Sequence, residues 1–177
     1  MNSHSFSLKP FSPVGIPITI KGNIGRNSNR FTVNYSLTGF LSNLVIPAPA
    51  DLPERRNNIW QETCFEFFLG LKDDARYWEF NLSPSGHWNV YRFNAYREGQ
   101  QEEEAFTSLP FNVSSSTDAF LLDMEFDLDK IITADETLEA GISAVIKQRD
   151  GNATHWALTH QNQQADFHKR ESFIIEL

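Results

Sequence analysis

Hydrophobic residues in this chain recur mainly at every second position, in short runs broken by Gly, Pro, Asn and Ser. Period two marks half-buried strands, because successive strand side chains point to opposite faces. Ile16, Ile18, Ile20 and Ile24 alternate with Pro17, Thr19, Lys21 and Asn23, and Phe31, Val33, Tyr35 and Leu37 alternate with Thr32, Asn34, Ser36 and Thr38. The Gly-, Asn- and Ser-rich stretch 22–29 is read as the turn between them. Further strands are predicted near 59–71, 76–82, 87–93, 119–127, 138–148, 152–159 and 172–177, with a weaker one near 106–114. Pro47, Pro49 and Pro53 make 44–56 a loop, and 127–135 has room for one short helical turn. No long amphipathic helix, internal repeat or linker is evident. The expectation is an all-β chain: one domain over 1–177, an antiparallel β-sandwich of two sheets and about ten strands with jelly-roll or immunoglobulin-like topology.

Composition narrows the partners. The 177 residues carry 15 Lys and Arg against 23 Asp and Glu, a formal charge of −8. A field of that sign repels phosphate backbones, so no nucleic-acid partner is expected. The single cysteine, Cys64, excludes an internal disulfide framework. The opening residues lack the basic start and apolar core of a signal peptide, and no apolar run reaches the length of about 18 residues that spans a bilayer. A cytoplasmic protein with no membrane partner is expected, as a monomer or homodimer.

Strand phase then gathers the polar residues. In the strand beginning at Trp60, Phe65, Phe67 and Leu69 fit between two sheets, which leaves Trp60, Glu62, Cys64, Glu66 and Phe68 on the other side. Next, Trp78, Phe80 and Leu82 look inward, leaving Tyr77, Glu79 and Asn81 outside. In the third strand Tyr91 and Phe93 are assigned inward, so Trp88 and Arg92 join Glu66 and Glu79, where a guanidinium fork matches the carboxylates. Sugars offer C–H faces that stack on aromatic rings and hydroxyls that need directional partners. Trp60, Trp88, Glu62, Glu66, Glu79, Asn81 and Arg92 supply both, although a plain surface ion-pair network fits the periodicity equally well. Near the C-terminus His155 and Trp156 must face opposite ways, and His168 lies in a loop before the last strand. The spacings of His155, His160 and His168 match no standard zinc motif.

The segments Trp60-Gln61-Glu62-Thr63-Cys64-Phe65-Glu66, Trp78-Glu79-Phe80-Asn81-Leu82-Ser83-Pro84-Ser85-Gly86-His87-Trp88, Tyr91-Arg92-Phe93, His155-Trp156-Ala157-Leu158 and Asp166-Phe167-His168 together resemble the DOMON-like family related to family 9 carbohydrate-binding modules. The resemblance spans Trp60 to Leu177, and its most specific part is Asn-x-Ser-Pro-Ser-Gly-x-Trp. It implies a two-sheet β-sandwich with a ligand site on a concave face. In those modules a Trp and a Glu six residues apart contact the sugar, as Trp60 and Glu66 are spaced; His155 and His168 join the expected ligand-binding set. The modules often carry a structural calcium, for which no ligands are assigned here. Other DOMON relatives bind haem through a Met and a His, but Met124 falls on the apolar phase of Phe120, Leu122 and Phe126, so haem is not expected.

A non-catalytic sugar-binding protein is therefore the leading expectation, with an intracellular glycan-processing enzyme or a protein-interaction module as alternatives. Glu62 and Glu66, four residues apart on one strand, would stand about 13 Å apart, beyond the roughly 5–10 Å that glycoside hydrolysis uses. Glu66 and Glu79 are expected directly opposite each other at about 5 Å, with Arg92 keeping both ionised, against the needs of an acid catalyst. Acidic neighbours blunt Cys64 as a nucleophile.

Overall fold

The computed structural model of the chain describes residues 2–177. Along the first half run β1 (Asn2–Ser7), β2 (Lys9–Pro10), β3 (Ile18–Asn27), β4 (Arg30–Gly39), β5 (Cys64–Leu71), β6 (Tyr77–Leu82) and β7 (Trp88–Phe93). The second half adds β8 (Gln101–Glu102), β9 (Asn112–Ser115), β10 (Ala119–Asp127), β11 (Leu138–Lys147), β12 (Ala153–Ala157) and β13 (Ile175–Glu176). They form two antiparallel sheets packed as a sandwich. The smaller has the order β1-β3-β4-β10-β9, the larger β2-β12-β11-β5-β6-β7-β8, with β13 added beside β11. None of the described helices is long and apolar enough to cross a membrane.

Alternation places the core. In the small sheet Ile20, Ile24, Phe31, Val33, Tyr35, Leu37, Phe120, Leu122 and Met124 are buried, while Lys21, Thr32, Asp123 and Glu125 are exposed. From the large sheet Phe65, Phe67, Leu69, Trp78, Phe80, Leu82, Trp88 and Val90 meet them. Phe67 stacks on Phe31 across the sandwich, with centroids 5.0 Å apart, and on Phe80 beside it at 4.4 Å. Met124 is thus a core methionine.

Several boundaries differ from the sequence expectation. β3 continues through Gly22 to Asn27, and only Ser28 and Asn29 turn the hairpin, Ser28 at φ 54°. Trp60 is not in a strand: Ile59–Gln61 form a 3₁₀ turn entered from Asn58 at φ 59°. The final strand shrinks to Ile175–Glu176, preceded by a 3₁₀ turn at Arg170–Ser172. The expected helical turn is the 3₁₀ segment Leu128–Lys130.

The largest correction concerns β7. Trp88, Val90 and Arg92 pair with Leu82, Phe80 and Trp78, so all three share the sandwich side, and Tyr91 and Phe93 share the opposite face with Glu79 and Tyr77. Hydrophobicity could not set this phase, because β7 is buried on both faces at every position but Arg92. The outer face carries a second apolar cluster of Phe68, Tyr77, Tyr91, Phe93 and Phe173 with Phe167 packed against it. The chain after β12 lies over that face, and two glycines admit it. A Cβ on Gly70 would come within 1.8 Å of the Arg170 guanidinium, and one on Gly141 within 2.7 Å of the Phe173 ring. Arg170 is fixed there on Leu71 O at 2.9 Å and Glu139 Oε2 at 2.5 Å.

Candidate functional site

Between the outer face and the loops over it lies a cavity of about 680 Å³, within the range of small-ligand pockets. Glu66, Glu79, Tyr91, Phe93, Val145 and His155 line it from β5, β6, β7, β11 and β12. The turn before β5 adds Asn58, Trp60 and Gln61, the turn after β7 adds Arg97 and Gln100, and the C-terminal segment adds Ala165, Phe167 and His168. Trp60, Gln61, Arg97 and Gln100 are exposed and form the rim, whereas Glu66 and Glu79, 3% and 6% exposed, form the floor.

The two acids are diagonal neighbours rather than directly opposed: Glu66 pairs with Asn81, and Glu79 with Phe68. Ser143 Oγ donates to Glu66 Oε2 at 3.3 Å, and Asn81 Nδ2 donates to Glu79 Oε1 at 2.9 Å. Burial pushes the Glu66 carboxyl well above the ordinary range, and neighbouring Glu79 pushes the same way. Burial also raises Glu79 to about 7, against the opposing pull of the Asn81 hydrogen bond and Arg97. Desolvation disfavours the ionised form of a carboxyl.

Beside Glu79 stands a relay of polar groups. The Tyr77 hydroxyl accepts from Arg97 N at 3.1 Å and lies 2.8 Å from His168 Nδ1. In the tautomer whose Nδ1 accepts the hydroxyl proton, the ring carries its own proton on Nε2, 3.7 Å from Glu79 Oε2. Burial, with Arg97 adding to it, lowers His168 to about 4, so the ring is neutral near pH 7. Arg97 Nη2 donates to Asp166 Oδ1 at 2.9 Å, and the same oxygen accepts from His168 N at 3.1 Å. Tyr96 also donates to Asp166, whose carboxyl is held below its ordinary value by the Tyr96 and Arg97 hydrogen bonds despite burial.

Of the residues singled out in the sequence, Trp60, Glu66, Glu79, His155 and His168 converge on this cavity. Asn81 is fully buried beneath it as the donor to Glu79. Glu62 is exposed and not among the lining residues. Trp88 is buried on the sandwich side with the Arg55 guanidinium 4.4 Å from its ring centre. Arg92 is exposed on the sandwich side of β7, donating to Gln101 Oε1 of the neighbouring β8 at 2.6 Å. The cation at the cavity is therefore Arg97, which sequence reasoning missed. It sits at φ 54° in the turn joined by the Ala95–Glu98 bridge. The turn composition of Asn94-Ala95-Tyr96-Arg97-Glu98-Gly99 was a legible signal, but not the direction of the side chain. Tyr91 and Phe93 were missed through the phase of β7.

His155 projects to the cavity and Trp156 to the core. His160 instead meets the Lys9 carbonyl at 2.8 Å. Among the described residues no three His, Cys, Asp or Glu side chains are grouped to hold a metal ion, so the three histidines do not fit zinc. Cys64 is buried below Asn81, and burial, reinforced by Glu66, pushes its thiol well up.

No protein-family model matches the sequence, and no curated protein matches it. Among solved structures the chain is similar to a candidate carbohydrate-binding protein from Bacteroides uniformis, with TM-score 0.66 and 14% identity over 96% of this chain and 84% of that one. It is also similar to a family 9 carbohydrate-binding module from Caldicellulosiruptor kristjanssonii. The cellotriose complex of that module gives TM-score 0.50 and 12% identity over 86% and 71% of the two chains. Its glucose complex gives 0.48 and 12% over 83% and 69%. At such identities the first two likenesses establish a shared β-sandwich fold.

Proposed function

We propose that this protein binds a carbohydrate or a similar small polyhydroxylated molecule, without catalysis, in the cavity floored by Glu66 and Glu79. One observation carries this: two carboxyls, each more than nine-tenths buried, and the rings of Trp60, Tyr91, Phe93 and Phe167 face the same cavity. Rings cover the C–H faces of a sugar, and the carboxyls, His155, His168 and Gln100 offer partners to its hydroxyls. The fold shared with a candidate carbohydrate-binding protein and with a cellotriose-bound module supports the same reading, as does the DOMON-like resemblance of the strand motifs. In titration calorimetry with a panel of mono- and disaccharides, Trp60→Ala is expected to weaken the best ligand roughly tenfold. Unchanged heats in the variant would remove Trp60 from the site.

Glycoside hydrolysis has one specific observation in its favour. Arg92, expected to hold both acids ionised, lies on the other face of the sheet, and both acids have raised proton affinities. A protonated acid beside an ionisable one is what a glycosidase uses. Chromogenic glycosides should then be turned over by the wild type and lost at least about a hundredfold in Glu66→Gln. Absence of turnover across a panel of such substrates leaves binding alone.

A further inference from the structure

Glu66 and Glu79 have no cation bonded to them; the buried Glu103 has none either, but its two oxygens accept from the Trp78 indole and the Ala105 N–H, and it does not line the cavity. Asp166 is paired with Arg97, and Glu139 with Arg170. Glu66 receives one neutral donor, the Ser143 hydroxyl. Glu79 takes the Asn81 amide on Oε1, and its Oε2 accepts no hydrogen bond from the described residues; His168 Nε2, at 3.7 Å, lies outside hydrogen-bond reach. Burying two adjacent carboxyls without a counter-charge is costly, and here both border a cavity large enough for a small molecule.

The aromatic walls point the same way. The protein's own cationic groups stack on Trp88, Tyr96, Phe106 and Phe173. None of those rings lines the cavity, and the rings that do, Trp60, Tyr91, Phe93 and Phe167, have no cation of the protein stacked on them. A ring face attracts an ammonium group, most strongly where water is excluded. Arg97, the nearby guanidinium, is committed to Asp166 at 2.9 Å.

Building on the sugar-site reading, we infer that the natural ligand bears an ammonium group among its hydroxyls, as an amino sugar does. The cation is held at Glu79 and Glu66, with the sugar ring against the aromatic wall. Such a ligand supplies the positive charge that neither acid finds in the chain, and a neutral sugar of the same shape leaves that interaction unmade.

The test uses the full-length protein and three probes at pH 7, titrated by calorimetry: glucosamine, N-acetylglucosamine and glucose. Glucosamine is expected to bind at least about tenfold tighter than either neutral sugar. In Glu79→Gln that ratio should fall to within about threefold. Glucose or N-acetylglucosamine binding as tightly as glucosamine in the wild type would overturn the ammonium assignment and leave the sugar site standing. No heat from any of the three up to millimolar concentration would overturn both. A preference for glucosamine that survives undiminished in Glu79→Gln would remove Glu79 from the cation's seat.

Discussion

Glu79→Gln is expected to be more stable than the wild type at pH 8, by on the order of 3 kcal/mol, and indistinguishable from it near pH 4. The sign follows from proton linkage. Glu79 rises from 4.5 to about 7 on folding, so the folded chain keeps a proton that the unfolded chain has released. Its contribution to stability is fully present below 4.5 and is lost as pH climbs to about 7, at 1.4 kcal/mol, roughly, for each pH unit. Glutamine retains the oxygen that Asn81 bonds and cannot ionise. The advantage of the variant therefore grows between 4.5 and about 7 and then levels off. His168→Gln should show the mirror image. The His168 ring falls from 6.5 to about 4, so the wild type loses stability as pH drops through that window and the variant gains on it only at the acid end. Urea midpoints of the three proteins from pH 4 to 8 read both curves; Glu66, which Glu79 pushes up, relaxes in Glu79→Gln and adds to the first curve in the same direction, and a pH-independent difference would refute both assignments.

Phe67→Ala should cost about 3–5 kcal/mol, a large part of the roughly 5–15 kcal/mol that a domain of this size has. Phe67 is fully buried, and its ring joins both sheets, stacked on Phe31 of β4 and Phe80 of β6. The cavity it would leave is bordered by rigid rings on two strands, which limits collapse. The urea midpoint should fall with little change in slope. A loss below about 1 kcal/mol would mean that the sheets do not pack through this ring. Phe68, the next residue, points into the outer cluster against His168, 5.2 Å between ring centres. Its truncation disturbs the candidate site, whereas Phe67→Ala disturbs only the sandwich.

Much of this molecule was legible as a sequence because burial on one side leaves a period-two trace. The strands of the small sheet have one wet face, so Phe31, Val33, Tyr35 and Leu37 announced both strand and phase. The same logic held for Phe65, Phe67 and Leu69 and for Trp78, Phe80 and Leu82, where a carboxyl or amide on alternate positions marked the outer face. Glu66, Glu79 and Asn81 were thereby placed on one side without coordinates.

What alternation cannot settle is a strand covered on both faces. In β7, Trp88 and Val90 on one side and Tyr91 and Phe93 on the other are equally apolar, and only the register with β6 decides that Arg92 faces away from the acids. The second covering comes from residues 167–173, far later in the chain. Phe167, His168, Arg170 and Phe173 settle on the outer face because Gly70 and Gly141 leave room there. Local pattern fixes which side of a strand is polar. Which distant segments close over that side, and so turn two exposed acids into the buried floor of a cavity with Arg97 at its rim, depends on contacts between residues far apart in sequence, and only the folded chain contains that information.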